Sequence, residues 1–76
     1  MSRQKTNARK VLRLRQLRRE REMTQGALGK RVSLSTASIS AIEAGRQSVP
    51  VDKAIEIAAV FRLTVEEVFG YVEVPA

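Results

Sequence analysis

Apolar residues first settle into a repeat at Val11, Leu14 and Leu17, one stripe with Arg and Gln elsewhere. That spacing predicts a first helix beginning near Arg9. Glu20 and Glu22 near its end oppose the helix dipole, and Arg18, Arg19 and Arg21 offset them. Thr24 is suited to an N-cap, because its hydroxyl can accept an orphan backbone N–H. Leu28 and Val32, four apart, predict a second helix over about Thr24 to Val32. Ser33 and Leu34 make a tight link. Ser35 is the next N-cap, opening a third helix with Ile39 and Ile42 inward, and Gly45 closes it. Pro50 fits the first turn of a fourth helix, where a missing N–H costs little. Val51, Ile55, Ala58 and Phe61 repeat along that helix at helical spacing. Thr64 caps a short fifth helix through Phe69, with Glu66 and Glu67 in its favourable first turn, and Gly70 ends it. "YVEVP" then alternates and reads as a short terminal strand.

Five short helices with tight links predict an all-α fold, a compact five-helix bundle over residues 9–69. A flexible basic arm, residues 1–8, precedes it, and a strand or tail, residues 70–76, follows. Ile57, Val60, Tyr71, Val72 and Val74 are left over from the core stripes, a surplus that hints at a second subunit. The second and third helices have the make-up of two short helices meeting steeply through a tight turn. Gly29 supplies a small residue at their contact. Leu28, Val32, Leu34, Ile39 and Ile42 supply the inward apolar positions. Such a turn often holds a glycine in the left-handed region, where this chain has Ser33.

Composition narrows the chemistry. With 76 residues, one small domain is the ceiling. There is no Cys and no His. Disulfides, the usual zinc ligand sets and Cys/His or Ser/His/Asp catalysis are thereby excluded. No metal, no cofactor and no enzymatic activity are expected. The absence of a run of roughly 18–20 apolar residues or of an apolar signal core leads to the expectation of a soluble, cytoplasmic protein with no membrane partner. The net charge of +6 is unevenly spread. Residues 1–31 hold eleven basic groups and two acids, whereas residues 32–76 hold three basic groups and six acids. A basic half joined to a mildly acidic half suits a chain that offers one side to a polyanion. The alternative is a solvated basic tail that keeps the protein soluble.

Residues 25–44, "QGALGKRVSLSTASISAIEA", resemble the helix-turn-helix of the Cro/phage-repressor (XRE-type) transcriptional regulators. "LRQLRREREMTQ" looks like that family's first helix running into its second. "ISAIEAG" looks like its "IS-IE-G" signature, and "AIEIAAVFRLTVEEVF" like its fourth and fifth helices. The resemblance covers about Val11 to Phe69. Two departures are Pro50, one residue later than in many relatives, and Glu22, in place of a common glycine. The resemblance implies a recognition helix, Ser35 to Ala44, lying in the DNA major groove. It also implies an ion pair between Arg18 and Glu43, and a phosphate-binding Gln25.

Further DNA contacts are expected around that helix. Ser35 and Ser38 can donate to a phosphate at its start, Arg46 and Gln47 can reach the flanking backbone, and Lys30 and Arg31 can add to them. Base contact is expected from the outward Thr36, Ala37, Ser40 and Ala41. None of these can grip a purine with two hydrogen bonds, so methyl contacts and DNA shape would carry more of the specificity. The family usually acts as dimers on inverted repeats, and Val68, Phe69, Tyr71, Val72 and Val74 are the expected homodimer contact. The favoured function is a dimeric repressor binding double-stranded DNA. The rivals are an antitoxin that also binds a toxin protein, a protein-bridging helix-turn-helix coactivator with an unknown protein partner, and a small RNA-binding protein. The last is disfavoured by an aromatic content of 4%.

Overall fold

A computed structural model describes the backbone of residues 8–75 and the side chains of residues 12–70. The chain runs as strand β1 (Ala8–Leu12), helices α1 (Arg13–Glu20), α2 (Gln25–Val32), α3 (Thr36–Glu43), α4 (Val51–Phe61) and α5 (Val65–Phe69), then strand β2 (Tyr71–Pro75). The five expected helices are all present. The first starts four residues later than Arg9, because Ala8–Leu12 is extended and pairs with β2. The two strands form an antiparallel pair in which Ala8 faces Pro75 and Leu12 faces Tyr71. The ladder runs on into the helix start, where the Arg13 N–H donates to the Gly70 carbonyl at 2.7 Å. The "YVEVP" strand therefore finds its partner within its own chain. Of the arm, Ala8 belongs to β1, and residues 1–7 lie outside the described residues.

The core gathers one face of each helix. Leu14, Leu28, Ile39, Ile57 and Val68 are fully buried, with Leu17, Val32, Ile42 and Phe61 beside them. Each fully buried side chain of this size contributes about 1.5–3 kcal/mol. Arg21 lies over the Phe61 ring, 4.9 Å from its centroid, covering the core edge with a cation–π contact. In α4 the buried stripe is Ala54, Ile57, Ala58 and Phe61. This corrects the expected stripe. Ile57, counted as surplus, is at the centre of the core, while Val51 and Ile55 are 76% and 55% exposed. Pro50 also sits one place earlier than expected, at the N-cap position before Val51.

Side chains set the helix starts. The Thr24 hydroxyl accepts from the Ala27 N–H and the Ser35 hydroxyl from the Ser38 N–H, each at 3.0 Å. Thr64 and Glu67 form a reciprocal capping box at the start of α5. The ends of α1 to α4 share one device, a residue with positive φ followed by a backbone N–H that reaches back across the last turn. After α3 that residue is Gly45, at φ 78°, and the Arg46 N–H donates to the Ala41 carbonyl at 2.8 Å. After α1, α2 and α4 it is Glu22, Ser33 and Arg62, at φ between 52° and 59°. A side chain in this region is strained by about 1–2 kcal/mol.

Lys53 ties α4 to α2. Its Nζ donates to the carbonyl of Val32, the last residue of α2, at 2.6 Å, and also meets Glu56 at 3.3 Å.

Two substitutions test this account in chemical denaturation. A Cβ added at Gly29 would overlap the backbone carbonyl oxygen of Leu34. Gly29→Ala should therefore lower stability by about 2–4 kcal/mol, since neither backbone can yield without moving a helix. Ser33→Gly should raise stability by about 0.5–1 kcal/mol, because relief of left-handed strain exceeds the glycine's larger unfolded-state entropy.

Candidate nucleic-acid interface

Three helices meet at the Glu43 carboxylate. Arg18, from α1, donates through Nε to Oε2 at 2.7 Å and through Nη2 to Oε1 at 3.1 Å. Gln25, the first residue of α2, donates through Nε2 to Oε1 at 3.1 Å. Arg18 also donates through Nη1 to the Met23 carbonyl at 2.8 Å, fixing the link between α1 and α2. Both charged side chains are withdrawn from water, at 10% and 4% exposure. A buried carboxylate would be very unfavourable alone. Here each oxygen is met, and the guanidinium is held in a two-point fork. The last turn of α3 is thereby pinned to α1 and to the first turn of α2.

Gln25, expected to bind phosphate, has its amide nitrogen directed to Glu43 in this structure. It sets the position of α2 against α3. The amide of a helix-initial Gln can serve either purpose, and the sequence does not show that a carboxylate eighteen residues on comes within its reach.

The inner face of α3 is held by Ile39 and Ile42, both buried. Its outer face carries Thr36 and Ala37, both exposed, and Ser40 and Ala41, half-buried. Ser38 is half-buried beside the start of the helix. Ser35 is exposed; its oxygen caps α3, and its O–H remains free to donate outward. A groove of about 550 Å³ separates the first turns of α2 and α3, lined by Thr24, Gly26, Ala27, Lys30, Leu34, Ser35 and Thr36. The two helices nearly touch there: a Cβ on Gly26 would stand 3.1 Å from Thr36 Oγ1. Lys30, Arg31, Arg46 and Gln47 are exposed. Lys30 lines the groove, and Arg31 follows it near the end of α2. Arg46 and Gln47 come directly after the turn at Gly45.

The expected dimer residues fare differently. Val68 is fully buried in its own core and has no surface to offer a partner. Phe69 is half-buried, lining an apolar concavity with Val49, Val51, Ala54 and Val65. The side chains of Tyr71, Val72 and Val74 lie outside the described residues.

Among the described residues, no helix is long and apolar enough to cross a membrane. A family model described as a helix-turn-helix domain matches residues 11–68, from β1 to the last turn of α5. No curated protein matches the chain.

Removing the carboxylate should be costly. Glu43→Ala leaves Arg18 buried without its counter-charge, and a loss of about 3–5 kcal/mol in unfolding free energy is expected. Gln25→Ala leaves the Arg18 fork in place and should lose only about 1 kcal/mol. Equal losses for the two variants would contradict this ranking.

Proposed function

Because the chain belongs to the helix-turn-helix domain family, we propose that it is a sequence-specific double-stranded DNA-binding regulator. It acts as a dimeric repressor, with α3 laid in the major groove of each half of an inverted-repeat operator. The observation that carries this is the division of α3 into two faces. Ile39, Ile42 and Glu43 are spent on the bundle, whereas Thr36, Ala37, Ser40 and Ala41 stand outward and unengaged. Small outward residues let the helix axis come close to the groove floor. Around them lie groups suited to phosphate: the Ser35 hydroxyl, Lys30, Arg31, Arg46 and Gln47. The free N–H groups in the first turns of α2 and α3 add the positive ends of two helix dipoles.

Nothing on the outward face can make a bidentate contact to a purine. Readout then falls to methyl contacts from Thr36, Ala37 and Ala41, to the two hydroxyls, and to sequence-dependent DNA shape. The same plain face suits a protein-bridging helix-turn-helix that does not read sequence, and one experiment separates the two. Selection from random duplexes should enrich a two-fold-symmetric site; failure to enrich any site would favour the bridging role.

Two measurements refine the geometry. Thr36→Glu should weaken operator binding at least tenfold, about 1.4 kcal/mol or more for a carboxylate facing the phosphates, without lowering the melting temperature. Replacing thymine by uracil inside the operator should weaken binding at one or more positions. Full affinity at every substituted position would remove the methyl contacts from the account.

A further inference from the structure

The outward face of α4 is unusual for a helix whose opposite side is fully used by the core. Val51, Asp52, Ile55, Glu56 and Ala59 are all exposed, and so is Arg62, directly after the helix end. Val51 and Ile55 are the exposed large hydrophobic residues of the described chain. The apolar surface continues sideways into the concavity of about 440 Å³ that reaches Val65 and Phe69 on α5. Glu56 is already paired with Lys53 through 3.3 Å. The face is thus acidic at one end, through Asp52, apolar in the middle, and basic at the other end, through Arg62.

This order is self-complementary. Asp52 and Arg62 stand five residues either side of Ile57, and Ile55 and Ala59 stand two either side. Consider a second α4 laid antiparallel on the first, with a two-fold axis at the level of Ile57. Asp52 then faces Arg62 of the partner subunit at both ends, about 15 Å apart along the helix. Between them the large Ile55 faces the small Ala59 of the partner subunit, in both directions. A parallel pairing would instead set Asp52 on Asp52 and Arg62 on Arg62. We infer that the occupant of this face is a second copy of the chain, joined through antiparallel α4 helices with Asp52–Arg62 pairs closing both ends.

The inference rests on the dimeric part of the function proposed above and assigns it a surface. It replaces Val68, which is buried. A two-fold contact between identical chains uses both opposed end charges, because each copy supplies Asp52 to one pair and Arg62 to the other.

Charge swapping tests it, using the free protein and sedimentation equilibrium without DNA. The unaltered chain should dimerise. Asp52→Arg and Arg62→Asp should each weaken the dimer by about tenfold or more, since each sets like charges at both ends. Mixing the two single variants should restore association, because every facing pair is then opposite in sign. The double variant should likewise dimerise close to the unaltered level. Circular-dichroism melting establishes that each variant is folded. Ile55→Glu provides a second route should a swapped chain fail to fold, and it too should abolish dimers. A monomer at high micromolar concentration would overturn both the surface and the dimeric proposal. A dimer indifferent to the swaps and to Ile55→Glu would overturn the α4 surface alone. Binding to a half-site duplex is scored separately, so failure of DNA binding is distinguishable from either result.

Discussion

The carboxylate of Glu43 is the constraint on which the arrangement of the helices turns. It is buried and charged, so it must be neutralised and hydrogen-bonded where it stands. Arg18 and Gln25 meet it from two other helices, at distances of 2.7 to 3.1 Å. Apolar packing alone is tolerant of small rotations, because one methyl contact can replace another. A forked guanidinium on a carboxylate is less tolerant, since its two bonds fix direction as well as distance. The outward face of α3 is therefore aimed by a polar contact on its inner side. Ile39 and Ile42 supply the energy that holds the helix down, and Glu43 supplies its bearing.

Much of this was legible in the chain because the signals were local. Thr24, Ser35 and Thr64 cap the helices that their positions predicted, and Gly45 takes the positive φ expected of it. Gly29 falls where backbone approaches backbone, against the Leu34 carbonyl. Glu22 and Ser33, which both stand where a glycine is common, are both left-handed residues. What failed to show locally was decided by distant partners. Val11, Leu14 and Leu17 have helical spacing, yet Val11 is in a strand because β2, at the other end of the described chain, pairs with it. In α4 apolar residues occur on both faces, so periodicity could not choose between Ile57 and Ile55 for the core. The packing of α4 on α2 and α5 made that choice. Gln25 is the corresponding case at the candidate site, where only the fold brings Glu43 to it.

The helix-turn-helix is also braced from outside. Lys53 extends from α4 to the final carbonyl of α2, immediately before the turn that leads into α3. A cation at a helix C-terminus complements the dipole there and satisfies an orphan acceptor. Lys53 is on the helix that also carries the exposed Val51 and Ile55. The same element therefore supports the turn on one side and presents an apolar surface on another.

Three of the four left-handed helix ends are occupied by residues other than glycine. Such positions hold the protein below the stability its fold could reach. In a domain of this size the margin is small, and each 1 kcal/mol multiplies the unfolded fraction about fivefold. Where proteolysis proceeds through the unfolded state, clearance rises by the same factor. Backbone strain at Glu22, Ser33 and Arg62 thus bears on lifetime as well as on folding.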